Sequence, residues 1–314
     1  MKTLQQHIQE KLVINKNTEI ETRKYKYHPN TKDELKELIK KLIEERGNEA
    51  NLNDIDITKI TNLTNLFNGT VWDGDISEWD VSNVTDMSYM FLYSYFTGKN
   101  TDFSLWDISN VTNMMGMFQG SELSNKVKGL DKWNIKNVNN ISYMFAKCKN
   151  FNKDISGWDI SGVEHIEGLF QNCTNFNQDL SKWKLSPKTK RLNSLFMQCL
   201  RFEGKGLENW DVSNVEDMTY MFQGCKVFKG DLSNWNTEKL MYAVHTFKGC
   251  KEFDGNIENW KTKNLRDISE MFSDSGITYN LASWQIGKFC KCKNTFTNTL
   301  ITKTRKSPAW YFRK

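Results

Sequence analysis

Proline is nearly absent from this chain, three residues in 314, and histidine is scarcely commoner at four. So little proline, beside 13% aromatic residues and an ordinary 26% charged fraction, excludes a disordered chain. The low mean hydropathy of −0.65 then comes from Asn, Asp, Ser and Lys in turns. His7, His28, His165 and His245 leave little material for a Ser/His/Asp or Cys/His centre. No nucleophile elbow, phosphate loop or HExxH motif is present, so the expectation is a non-enzymatic protein without cofactor or metal. No apolar run approaches about 18 residues, which excludes a helical membrane span. The first residues hold no apolar stretch of roughly 7 to 15 residues and no small-residue cleavage site. A protein that stays in the cytoplasm or is packaged into a particle is therefore expected rather than classical secretion. A net charge of +5 is matched by the tail alone, where Lys288, Lys291, Lys293, Lys303, Arg305, Lys306, Arg313 and Lys314 meet no acid after Asp274. The body is thus no nucleic-acid stripe, which leaves the basic tail as the one segment suited to nucleic acid.

What the chain has is repetition. Tryptophans at 79, 106, 133, 158, 183, 210, 235, 260 and 284 recur every 24 to 27 residues, each followed by Phe after 12 residues, or 13 after Trp183. Between them apolar residues fall two, five, eight, eleven and twelve positions after Trp, as in Val81, Val84, Met87, Met90 and Phe91. That spacing fits neither a long helix nor a long strand and predicts short extended or turned segments wrapped about one axis. An apolar residue three before each Trp, flanked by Asp and Ser as in Asp154, Ile155 and Ser156, predicts a short parallel strand. A second aromatic lies seven before Trp, at Phe151, Phe176, Phe228 and Phe253. The expected architecture is a leucine-rich-repeat-like solenoid of about nine to ten repeats over residues 51–296. Stacked at about 4.8 Å per repeat it would be roughly 45 Å long. Residues 1–50 form a helical cap, because Leu35, Leu38, Ile39, Leu42 and Ile43 share one helical face between a Thr31 to Glu34 capping box and Gly47. Residues 297–314 form a basic aromatic tail.

Seven cysteines invite a metal or redox reading. Five of them, Cys148, Cys173, Cys199, Cys225 and Cys250, follow the repeat Phe by three residues, where other repeats hold Thr70, Ser94, Ser121, Ser275 and Thr299. The slot calls for a small side chain, since buried thiol behaves as a small hydrophobe. Cys290 and Cys292 form a CxC with no second pair for zinc, and the frame puts Cys292 in a core methionine slot. Candidate binding residues lie outside the core frame. Tyr93, Tyr95 and Phe96 occupy a long connection, as anchors of an interface or as fillers of the inner aromatic slot. Asp80, Asp107, Asp159 and Asp211 form a row one residue after Trp, best explained by turns and a solvated face. Trp310, Tyr311 and Phe312 need burial against the body or a partner.

The unit Phe-Asn-x-Asp-Leu-Ser-x-Trp-Asp-Val-Ser-Asn-Val-Thr-Asp-Met-Ser-Tyr-Met-Phe resembles the repeat of BspA-like leucine-rich-repeat surface proteins and the related mycoplasma-type lipoprotein repeat. Asp179 to Trp183, Val212 to Phe222 and Phe145 to Phe151 carry the resemblance, which runs from about Leu52 to Phe296. It implies a solenoid without catalytic residues that serves adhesion or partner binding. The partner expected is a protein, either a host surface protein or other subunits of an assembly. The alternative is a structural or decoration component of a phage or virus particle.

Overall fold

The computed structural model describes residues 25–255, 257–279, 281–303 and 307–312. The segment inspected for a leader, with His7, and the basic residues Arg305, Lys306, Arg313 and Lys314 lie outside them. Helix α1, Lys32–Arg46, begins where the Thr31 side chain accepts the Glu34 amide and ends at Gly47, whose N–H donates to the Ile43 carbonyl. The Glu34 carboxylate accepts the amide of Asn30 at 2.8 Å, so the capping box closes one residue earlier than expected. Leu35, Ile39 and Leu42 are buried. Arg46 fixes the helix to the first repeat through two bonds to Asp54, at 2.9 and 2.8 Å, and a third to the Asn51 carbonyl.

Beyond the helix the chain is a repeat protein, and each repeat is bonded to its neighbour. From Trp79, the amides of Met87, Tyr89, Phe91 and Tyr93 donate to the carbonyls of Asn113, Met115, Met117 and Gln119 in the following repeat, at 2.7 to 2.9 Å. The amides between them turn inward. Met90, Leu92 and Ser94 donate to Met87, Tyr89 and Phe91, three residues back. With the Ser88 amide donating to the Asp86 carboxylate at 2.8 Å, this alternation satisfies every amide from Met87 to Ser94 without a strand, as buried backbone requires. It also forces positive φ ten and fourteen residues after Trp, at Tyr89 (57°), Tyr93 (50°), Tyr143 (57°) and Lys147 (64°) among others. Each non-glycine residue there costs on the order of 1 kcal/mol, offset by the bonds and packing it makes possible.

The short strands expected three residues before Trp are not found. Among the described residues only isolated parallel bridges occur, chiefly seven residues after Trp, joining Asp86 to Asn113, Asn113 to Asn140 and Asn140 to His165. Before Trp the chain turns tightly instead, as 3-10 segments at Phe103–Leu105, Leu130–Lys132 and Leu207–Asn209. The flanking Asp and Ser explain the difference, because Asp75, Asp154, Asp179 and Asp231 each accept the amide two residues on at 2.9 Å. Asp here prefers that local turn to an extended ladder.

Three columns run through the core. The repeat Phe rings stack from Phe67 through Phe91 and Phe118 to Phe296, centroids 5.3 to 6.0 Å apart. The tryptophans stack likewise, at 6.3 Å between Trp106 and Trp133 and 6.4 Å between Trp183 and Trp210. Each indole N–H donates to the preceding repeat, to the carbonyl three residues before that repeat's own Trp: Trp106 to Ile76, Trp133 to Phe103, Trp158 to Leu130, Trp183 to Ile155. In the third column the thiols of Cys148, Cys173, Cys199, Cys225 and Cys250 donate to the Phe carbonyl of the preceding repeat at 2.8 to 2.9 Å. Where the slot holds Thr70, Ser94 or Thr299, the hydroxyl donates to its own repeat's Phe carbonyl. Burial pushes Cys148 up to about 12 and holds Cys173, Cys199 and Cys250 well above the ordinary thiol value.

Candidate functional site

With indole, phenyl and thiol all turned inward, the chemistry left for recognition lies on outward rows, and the backbone decides which side chains reach them. The left-handed residues ten and fourteen after Trp point away from the core. Ten residues after Trp the first four such positions read Tyr89, Gly116, Tyr143 and Gly168, and fourteen after Trp Gly120 follows Tyr93; each of these three glycines makes room for a ring. A β-carbon on Gly116 would fall 2.5 Å from the Tyr89 ring, one on Gly120 2.3 Å from Tyr93, and one on Gly168 2.2 Å from Tyr143. Three tyrosine rings therefore lie against the backbone of the next repeat. Lys147 extends the row by donating to the Tyr93 hydroxyl at 2.8 Å, its ammonium 5.1 Å from that ring's centroid.

Beside these rings lies a shallow groove lined by Met115, Ser142, Tyr143, His165, Glu167 and Arg191. Glu167 organises it. Its carboxylate accepts the Ser142 hydroxyl and the Arg191 Nε, both at 2.8 Å, and His165 Nδ1 stands 3.7 Å away. Burial raises the Glu167 carboxyl, but bonds from its own backbone, Ser142 and Arg191 outweigh that and hold it below the usual carboxylate value. The side-chain oxygen of Asn193, also on the groove wall, is buried without a hydrogen-bond partner. Among the described residues no group of three or more His, Cys, Asp or Glu side chains is placed to hold a metal ion, and no helix is long and apolar enough to cross a membrane.

The residues expected to bind fall into three groups. Tyr93 and Tyr95 are exposed, at 49% and 61%, whereas Phe96 is fully buried. Phe96 stacks 4.2 Å from Phe91, in the slot that Phe151 fills 4.1 Å from Phe145, so it belongs to the core and not to a binding loop. Asp80, Asp107, Asp159 and Asp211 are exposed, and each accepts the amide of the serine two residues on at 3.0 Å. Their first duty is a turn. The serine hydroxyls and amides hold Asp107, Asp159 and Asp211 below the usual carboxylate value.

At the other end Trp310 is buried, stacks 6.1 Å from Trp284 and donates to the Leu281 carbonyl at 2.7 Å. It is the tenth member of the tryptophan column and is unavailable to a partner. Tyr311 packs edge-on against Phe296 at 5.2 Å, and Phe312 closes a 3-10 segment, its side chain outside the described residues. Tyr89 and Tyr143 were not among the expected binding residues. Their signal was the glycine at the same frame position one repeat later.

The family described as a Mycoplasma protein of unknown function, DUF285, matches residues 34–127, 92–197 and 190–310, which covers the helix and all the repeats. The chain belongs to the DUF285 family. No curated protein and no solved structure matches it. In this DUF285 chain the three matched segments overlap, at 92–127 and at 190–197, as expected where one unit recurs without a break.

Proposed function

We propose that this DUF285 protein is a non-enzymatic interaction protein. Its repeats form a leucine-rich-repeat-like solenoid that presents the tyrosine row and the Glu167 groove to a protein partner. The observation that carries this reading is the pairing of Tyr89, Tyr93 and Tyr143 with Gly116, Gly120 and Gly168. The pairing holds amphipathic rings at the surface on a backbone tied into the stack. Tyrosine held this way offers large contact area at low entropic cost, and with arginine it dominates the energetic centre of many interfaces. Adhesion of the BspA-like kind is the finer form of the same reading.

The test is site-specific photo-crosslinking. A photoreactive phenylalanine replaces Tyr93, Tyr143 or, on the aspartate row, Asp211, and the protein is offered to the extracellular proteome of candidate host cells. The reading predicts one discrete adduct from positions 93 and 143 and none from 211. Equal labelling from all three positions, or none from any, contradicts it.

A further inference from the structure

The last tryptophan repeat departs from the frame where its two cysteines lie. One repeat earlier, Leu265 and Ile268 fill consecutive inner slots three residues apart, and the Leu265 amide closes a turn onto Thr262 at 3.1 Å. In the last repeat Cys290 closes the equivalent turn, onto Gly287 at 3.0 Å, and Cys292 takes the next slot, only two residues on. The shortened spacing expels Phe289, which stands 91% exposed. Phe289 is five residues after Trp284, a position whose counterparts Val84 and Val111 are fully buried.

The shortening also brings two thiols together. Lys291, between them, is bridged to Asp267, and its carbonyl accepts the Ile268 amide at 2.8 Å, which fixes extended backbone there. Residues flanking an extended residue point to one side. Their Cα atoms are about 6.6 Å apart at about 3.3 Å per residue, at the upper edge of the roughly 4.4–6.8 Å that a disulfide spans, so closing the bond requires the backbone at Lys291 to tighten and makes the disulfide a strained, readily reduced one. The Cys292 thiol donates to the Cys290 carbonyl at 3.4 Å, and the Cys290 thiol to the Lys291 carbonyl at 3.7 Å. Both are partly exposed, in contrast to the five fully buried thiols of the column. Lys288 and Lys293 flank the pair in the chain, and Asp267 is the acid that opposes them.

We infer that Cys290 and Cys292 are a reversible dithiol–disulfide site that reacts with low-molecular-weight disulfides, while the thiol column stays inert. Cys292 thiolate attacks the small disulfide, whose S–S bond breaks and releases one thiolate. The Cys290 thiol loses its proton to solvent and attacks the mixed disulfide, releasing the second thiolate. Two electrons pass from the cysteine pair to the small disulfide, and one intramolecular S–S bond replaces the one that was broken. The neighbouring Cys290 side chain holds the Cys292 thiol below its usual value, as the attacking partner requires.

The experiment equilibrates the native full chain in buffers of graded reduced and oxidised glutathione, quenches with N-ethylmaleimide and maps the peptides by mass spectrometry. The expected result is a peptide spanning Cys290 and Cys292 that loses two hydrogens in one two-electron transition. The column cysteines should be alkylated on the order of 100-fold more slowly, because they need local opening first. In Cys290→Ser the peptide should instead accumulate a glutathione adduct on Cys292, with tryptophan fluorescence unchanged as the check on folding. Persistent free thiols at both positions in oxidised glutathione, a stable adduct in the unmutated chain, or equal reactivity of all seven cysteines would overturn the inference. The mass map of the unmutated chain decides the matter even where the serine variant fails to fold.

Discussion

Replacing Trp183 by Phe removes one rung of the indole ladder from the middle of the array and leaves an aromatic ring in the slot. Two losses follow. The Ile155 carbonyl, which accepts the Trp183 indole N–H at 3.2 Å in a buried setting, is left without that donor. That carbonyl keeps the Trp158 amide at 3.1 Å, so the loss is one net hydrogen bond, about 0.5–1.5 kcal/mol. Phe is also smaller by roughly 40 Å³, and at about 24 cal/mol per Å³ of residual cavity this adds on the order of 1 kcal/mol. The stack on Trp210, at 6.4 Å and 14°, is weakened rather than abolished.

The expected total is about 1.5–2.5 kcal/mol, felt mainly at the repeats on either side because a stacked array couples nearest neighbours. Native-state hydrogen exchange gives the local opening energy at the amides of Phe170 and Phe196, which bond across the two flanking junctions. A benzothienyl analogue of Trp, isosteric but without the N–H, isolates the hydrogen bond and should keep about 0.5–1.5 kcal/mol of the effect. An analogue that costs less than about 0.5 kcal/mol would refute the claim that indole N–H groups bind repeat to repeat.

Three further outcomes follow from the same geometry. Gly168→Ala places a β-carbon 2.2 Å from the Tyr143 ring at φ 61°, so the ring must leave its bed; stability should fall by about 1–3 kcal/mol in a denaturant melt, whereas Gly157→Ala, with open space around it, should cost about 0.5 kcal/mol or less. Cys173→Ser keeps a donor for the Phe145 carbonyl and should cost about 1 kcal/mol, while Cys173→Val loses the donor and overfills the slot, for about 2–4 kcal/mol in the same melt. The folded Glu167 carboxyl lies below its usual value of 4.5, so its stabilising contribution is full above pH 4.5 and disappears as pH falls through the lower folded value; melting temperature followed from pH 6 to pH 3 should drop less steeply in Glu167→Gln than in the unmutated chain.

Much of the interior was legible in the sequence because the core writes itself once per repeat. The Trp and Phe columns, the small-residue column and helix α1 stand where the spacing of Trp79, Phe91, Cys148 and Leu35 placed them. Trp310 could have been added, since it follows Trp284 by 26 residues, but no Phe follows it to complete the pattern. What misled was local chemistry that imitates periodicity. Asp and Ser around Ile155 alternate like a strand, yet the Asp154 carboxylate captures the Ser156 amide and makes a turn. Phe96 stood in a long connection although it fills the inner aromatic slot, because an extra loop shifted its distance from the next Trp. Tyr93 stood out only as part of a long connection, and the row it forms with Tyr89 and Tyr143 went unseen for a different reason. Its meaning lies in a pair, Tyr143 with Gly168, that is separated by a whole repeat and becomes adjacent only when repeats are laid against each other.

In this fold the repeats form one continuous stack held junction by junction. Deleting residues 211–235, which joins Trp210 to Asn236 in frame, and then deleting two such units tests this most directly by small-angle scattering. The expected result is folded protein whose longest dimension shortens by about 5 Å per deleted repeat. Loss of folding after a single deletion, or a longest dimension that does not follow repeat number, would contradict it.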